Sequence, residues 1–201
     1  MKLIDFIYEK SKFLDKETCR TWIDWFSLNP DLQRPGQVET GNTVDEIKRC
    51  LQIHPPRGDD RWYEMAFDCN KAIKEYYQFS QLTWQGELAS YDHSIRKYDK
   101  GNGWFREHID ISPSDPALMT RLYAMIIFLN NVDEGGETEF TYLNHRIKPE
   151  EGKLLVFPCN QLYPHQGNVP ISHDKYVITS FFCPNLPIDD KMQNQLHNPH
   201  L

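Results

Sequence analysis

The run Trp104-Phe105-Arg106-Glu107-His108-Ile109-Asp110 sets a histidine and an aspartate two residues apart in a strand-like stretch, where the period of two points both side chains to one face. A metal ion needs that convergence. Around this run, from about Leu82 to Cys183, short strand-like segments alternate with Gly, Pro, Asn and Asp, the pattern of a β-sandwich or jelly roll. The expected strands are Gly86 to Asp92, Ser94 to Tyr98, Trp104 to Asp110, Arg121 to Leu129, Glu137 to Tyr142, Lys153 to Phe157 and Tyr176 to Cys183. Upstream, Asp15 caps a helical pattern with Cys19, Trp22, Ile23 and Phe26 on one face, ending near Asn29 and Pro30. A second helix follows from Arg61 to about Phe79, with Trp62, Met65, Ala66, Cys69, Ala72, Ile73 and Tyr76 at helical spacing. Leu3 to Ile7 reads as an opening strand. Residues 31–60, rich in Gly and Pro with one weak strand at Ile47 to Ile53, read as a mobile loop and candidate lid.

A third metal ligand is available at His165, which follows the apolar strand Leu154-Leu155-Val156-Phe157 and a turn containing Pro158 and Pro164. Two imidazoles and one carboxylate, His108, Asp110 and His165, can form a facial triad that leaves positions open for a bidentate ligand and dioxygen. His145 and His173 are the rivals for the third place. In the strand that starts at Lys175, parity puts Lys175, Val177, Thr179 and Phe181 on one face and Tyr176, Ile178, Ser180 and Phe182 on the other. Lys175 therefore points into a β core unless its stem carries the ammonium out to solvent. A buried ammonium is costly without a partner, so an acidic ligand is expected there.

Four stretches resemble the prolyl 4-hydroxylase-like branch of the 2-oxoglutarate dioxygenases. They are Tyr98 to Asp110, Arg121 to Thr138 leading into Glu139-Phe140, Gly152 to Phe157, and His165 to Thr179, in family order and spacing. The resemblance implies a mainly β domain with flanking helices (α+β), a double-stranded β-helix (jelly roll, cupin-like) core supported by N-terminal helices. It also implies Fe(II) on His108, Asp110 and His165, with Lys175 pairing with the distal carboxylate of 2-oxoglutarate. Tyr98 and Thr179 are similar to the polar residues beside the co-substrate, and Arg121 to an arginine near the prime-substrate channel. The activity implied is hydroxylation of peptidyl proline by O2, with 2-oxoglutarate converted to succinate and CO2 and ascorbate in support. Two departures stand out. Phe128 occupies the place of a co-substrate tyrosine of the hypoxia-sensing enzymes, and Phe181 and Cys183 replace the tryptophan and histidine of the collagen-type enzymes. Alternatives are an oxygenase acting on a free amino acid, another small molecule or another side chain, and a non-catalytic jelly-roll binding module.

Composition narrows the class. With 201 residues, 39% hydrophobic and 25% charged, the chain suits one domain over 1–201: helical support and lid to residue 81, the β core over 82–183, and a polar tail. Five scattered cysteines without a C-x-x-C pair argue against a disulfide framework and against a thiolate zinc site. A net charge of -7 speaks against nucleic acid as a partner, and the apolar runs are too short to span a bilayer. The expectation is a soluble cytoplasmic enzyme with a proline-containing peptide or protein as substrate.

Overall fold

The computed structural model describes residues 2–38, 43–81, 86–112 and 115–185. Two antiparallel sheets face each other. The larger runs β1-β10-β7-β12-β5-β4-β2 and the smaller β3-β6-β11-β8-β9. In chain order the strands are β1 (Tyr8–Lys10), β2 (Arg34–Pro35), β3 (Lys48–Arg49), β4 (Leu51–Ile53), β5 (Leu88–Tyr98) and β6 (Trp104–His108). They continue as β7 (Tyr123–Phe128), β8 (Thr138–Phe140), β9 (His145–Ile147), β10 (Leu154–Pro158), β11 (His165–Gly167) and β12 (Lys175–Pro184). The helices are α1 (Lys16–Leu28), α2 (Asp60–Ser80) and the single turn α3 (Pro116–Met119).

The predicted double-stranded β-helix core with N-terminal helical support is what forms. Asp15 caps α1 by accepting from the Thr18 amide at 2.8 Å, as its sequence position requires. The apolar faces of α1 and α2 bury Trp22, Phe26, Met65, Cys69, Ile73 and Tyr76 against the outer face of the large sheet, where Ile95, Met125, Ile127 and Ile178 meet them. The inner face packs Phe128, Leu155, Phe157, Val177 and Phe181 with Phe140 and Ile147 of the small sheet. Strands β7, β10 and β12 are thus apolar on both faces, which explains their near-continuous hydrophobic sequence. Among the described residues no helix is long and apolar enough to cross a membrane.

Several expectations are corrected. Leu3–Phe6 forms a 3-10 turn rather than a strand, because the Asp5 carboxylate accepts from the Lys2 amide and closes the backbone locally; pairing begins only at β1. Gly86 to Asp92 and Ser94 to Tyr98 are one strand, β5, broken in register near Asp92, whose φ is +57°. The expected strand from Trp104 stops at His108, and that from Arg121 starts only at Tyr123, after α3. The region read as a mobile loop contributes β2 and β4 to the large sheet and β3 to the small one. Residues 39–42 and the tail from 186 lie outside the described residues.

Candidate metal centre and co-substrate pocket

The sheet pairing that matters most sets β11 antiparallel to β6 with His165 directly opposite His108. Asp110 lies two residues beyond His108, past the end of β6, so strand parity is not what brings it in. The chain turns after His108 and carries the carboxylate back toward both rings. His108 Nε2 is 3.6 Å from Asp110 Oδ1, and His165 Nε2 is 3.5 Å from Asp110 Oδ2. Among the described residues this is the one cluster of three or more side chains able to share a metal ion, its ligand atoms all within 4.8 Å of one another. His145 lies near Glu9 and His173 near Asp133 instead.

The donor set fits a divalent ion such as Fe(II). His108 Nδ1 lies 2.8 Å from the Arg106 carbonyl and His165 Nδ1 lies 3.1 Å from the Tyr163 carbonyl. A carbonyl only accepts, so each ring carries a proton on Nδ1, which turns its Nε2 toward the site. Burial, with His108 next to it, pushes His165 down to about 4, which leaves its imidazole neutral and able to ligate. Burial opposes ionisation of Asp110, yet His165, His108 and Arg121 outweigh it and hold the carboxyl well below the usual range. Phe105 stacks on His108 with ring centroids 3.6 Å apart, and Phe157 meets His165 edge-on at 4.7 Å, so the rings are fixed in place.

Beside the triad, a pocket between the sheets ends at Lys175. Tyr98 of β5 pairs with Lys175 of β12, and the predicted parity holds: Lys175, Val177, Thr179 and Phe181 all line this pocket. Lys175 is 3% exposed, donates to the Gly136 carbonyl at 3.0 Å and sits 4.7 Å over the Tyr98 ring. No carboxylate lies within 4.0 Å of its Nζ among the described residues, and burial pushes the ammonium down to about 8. Thr179 Oγ1 shares a 2.8 Å hydrogen bond with Ser94 Oγ. Phe128, at the place of the co-substrate tyrosine, is wholly buried in the core between the sheets.

Arg121 is not an exposed charge at a strand start. Its Nη2 donates to Asp92 Oδ2 at 2.8 Å, its Nη1 to the Asp110 carbonyl at 3.3 Å, and its guanidinium stacks 3.6 Å from the Phe181 ring. It lines a second cavity of about 330 Å³ that shares His108, Asp110 and Phe181 with the metal site. Lys48, His54, Asp92 and Arg96 line the same cavity, and none of them was expected from sequence. Arg96 was accessible by parity, since Ser94, Arg96 and Tyr98 alternate on one face of β5. Gly135 and Gly136 have φ of +72° and +73°, as a tight turn demands, and the Gly136 carbonyl is also the protein acceptor for Lys175.

Comparisons with known proteins agree with this geometry. Residues 93–183 match the family model of the 2OG-Fe(II) oxygenase superfamily. No protein of curated function matches the chain. Among solved structures, a viral collagen prolyl hydroxylase from Paramecium bursaria Chlorella virus 1, solved with 2OG, is similar at a TM-score of 0.66 and 18% identity, covering 89% of this chain and 96% of the other. A prolyl-4-hydroxylase from Pseudomonas putida gives 0.65 and 19%, covering 88% and 92%. A prolyl hydroxylase from Trichoplax adhaerens, in complex with a hypoxia inducible factor peptide fragment, gives 0.71 and 18%, covering 94% and 86%. The matched residues 93–183 are those that carry the His108, Asp110 and His165 cluster and the Lys175 pocket, so the part of the chain that builds the site is similar to the 2OG-Fe(II) oxygenase superfamily.

Proposed function

We propose that this 2-oxoglutarate-dependent dioxygenase is a prolyl 4-hydroxylase acting on peptidyl proline. The observation that carries the reading is the pairing of two compartments on one triad: the narrow pocket lined by Lys175 and the roomier cavity on the Arg121 side. The first suits a small diacid, and the second leaves space for a residue of a peptide. Similar solved structures include three proteins named as prolyl hydroxylases, one of them in complex with a peptide.

His108, Asp110 and His165 would hold Fe(II), with the Nδ1 hydrogen bonds fixing which nitrogen faces the ion. Lys175 would receive the distal carboxylate of 2-oxoglutarate, which supplies the counter-charge its own surroundings lack. Tyr98 and Thr179 flank that path and orient the co-substrate, while Phe105, Phe157 and Phe181 keep water from the reacting atoms. When bound, Fe(II) activates dioxygen so that one oxygen atom enters succinate as 2-oxoglutarate loses CO2 and the other enters a C–H bond of the substrate. Arg121 holds the Asp110 backbone from the substrate side and would position rather than react. Ascorbate would support turnover by keeping the iron ferrous. The five cysteines, all free and buried, support the same proposal's cytoplasmic, reducing location.

The test is mass spectrometry of proline-rich and collagen-like peptides incubated aerobically with the protein, Fe(II), ascorbate and 2-oxoglutarate, with succinate measured in parallel. An oxygen-atom gain on proline that requires 2-oxoglutarate and vanishes in His108→Ala is the expected result. Succinate without modification of any peptide would overturn the prolyl assignment while keeping the oxygenase. Neither product, with iron loading confirmed, would favour a binding module.

A further inference from the structure

Two cations are buried in the wall of the substrate-side cavity without a carboxylate in ion-pair contact among the described residues; Asp92 and, for Arg96, Asp110 act on them only from farther off. Lys48, on β3, is 3% exposed; its Nζ donates to the Gln37 carbonyl at 3.0 Å and to Gln52 Oε1 at 3.3 Å. Arg96, on β5, is 9% exposed, and its Nε donates to Ser94 Oγ at 3.1 Å. Neither has an Asp or Glu oxygen within 4.0 Å among the described residues. The two carboxylates on this cavity are engaged already, Asp92 by Arg121 at 2.8 Å and Asp110 by the two histidines of the triad.

The cations are neighbours. Gln52 lies opposite Arg96 in the β4 and β5 pairing, and Lys48 reaches that same Gln52. Burial and Arg96 together push Lys48 down to about 8, with Asp92 offsetting part of the effect, so the cavity wall holds two like charges near each other. The ring of Phe105, 5.0 Å from Lys48 Nζ, offsets part of that cost but supplies no anion. An ammonium buried without an ion pair, as Lys48 is among the described residues, is expensive, while the surroundings of Arg96 favour its charge; an ammonium and a guanidinium on one wall can together receive a carboxylate. Lys175 cannot be the same subsite, because it lines only the inner pocket and Lys48 only the outer cavity, with Arg96 at the border of both.

We propose that Lys48 and Arg96 form a carboxylate subsite for the prime substrate, so that the molecule hydroxylated carries a carboxylate close to the carbon that faces the triad. That carboxylate is either a terminal α-carboxylate or the side chain of an acidic residue next to the modified one. The inference rests on the oxygenase reading and adds the substrate's chemical class. In a chain of net charge -7, this cleft sets Lys48, Arg96 and Arg121 against Asp92 and Asp110, an excess of positive charge among its described lining residues.

Three probe pairs test it, each differing only in carboxylate against amide: Ac-Ala-Pro-Glu-NH2 and Ac-Ala-Pro-Gln-NH2, Ac-Ala-Pro-OH and Ac-Ala-Pro-NH2, and N-acetylglycine and N-acetylglycinamide. Binding is read by Mn(II)-induced broadening of the probe's NMR lines, with Mn(II) on the protein and 2-oxoglutarate saturating so that Lys175 is taken. The expected result is a preference of about tenfold or more for the carboxylate member of at least one pair, lost in Lys48→Met and Arg96→Met. Lys48→Gln and Arg96→Gln serve if the methionine variants do not fold. No preference in any pair, or a preference that survives these substitutions, overturns the subsite. A preference confined to the acetylglycine pair keeps the subsite and sinks the prolyl assignment, and a preference within a proline pair supports both. The first two pairs separate a side-chain carboxylate from a terminal one.

Discussion

Replacing Lys175 by methionine should leave the free protein as stable as before or slightly more so, while removing its response to 2-oxoglutarate. Burial lowers the ammonium from 10.5 to about 8, which at neutral pH corresponds to about 3 kcal/mol against folding. The hydrogen bond to the Gly136 carbonyl and the Tyr98 ring return about 1 kcal/mol each, so methionine should gain about 1 kcal/mol. In a chain of this size that is a Tm increase of about 3 °C. The sign also has a pH signature. Between pH 8 and 10.5 the unfolded lysine holds more protons than the folded one, so wild-type stability should rise relative to Lys175→Met by up to about 3 kcal/mol across that window. Removing one half of the charge pair with 2-oxoglutarate should weaken co-substrate binding about 100-fold or more. In chemical denaturation with Mn(II) in place of iron, 2-oxoglutarate at 100 times its wild-type Kd should add about 2.7 kcal/mol to the wild type and under about 0.5 kcal/mol to the variant. A loss of about 3 kcal/mol or more in the free variant would mean that Lys175 is half of an internal ion pair, and an undiminished 2-oxoglutarate response would remove it from the co-substrate site.

Arg121→Gln should destabilise the protein by about 2 to 3 kcal/mol in urea denaturation at pH 7, because it strands the buried Asp92 carboxylate. Burial raises Asp92, but Arg121, His54, Arg96 and Lys48 outweigh it and hold it at about 2. Its contribution is therefore present above pH 3.8 and lost as pH falls through 2, so the acid limb should flatten in the variant. Asp110→Asn should weaken Mn(II) binding about 100-fold or more by electron paramagnetic resonance titration, and an unchanged affinity would displace Asp110 from the ligand set. Gly135→Ala should cost about 2 kcal/mol or more in the same denaturation assay. Its φ is +72° and a Cβ there would lie 2.2 Å from the Val169 carbonyl oxygen, so a neutral result would mean the turn relaxes freely.

The two helices and the long strands were legible because each is long enough to show a period. Twenty-one residues of α2 repeat their apolar face several times, and ten residues of β12 alternate cleanly enough to aim Lys175 inward. Strands of two or three residues carry no such signal, and β2, β3, β4, β9 and β11 are all of that kind. That is why residues 31–60 read as a loop although they contribute to both sheets. The H-x-D pair does converge with His165, though the strand reasoning that pointed to it is only half supported by the structure. His108 is on a strand, but Asp110 reaches the site through the turn that follows it.

The cationic wall escaped notice for a different reason. Whole-chain charge averages over a surface and cannot report the sign of a cavity, so -7 spoke against a nucleic-acid partner but said nothing of a cleft whose described residues include two cations outside any ion pair. Arg96 could have been placed by alternation with Tyr98. Lys48 could not, because it reaches Gln52 and Arg96 only once β3 is paired to β6 and β4 to β5, contacts between segments about fifty residues apart in the chain. The same pairing makes those short strands part of the wall of the cavity beside the triad. On the proposed reading, a segment that looks like filler in sequence would decide which substrates reach the triad, and substitutions in it should alter substrate choice before they alter the response to 2-oxoglutarate proposed for Lys175.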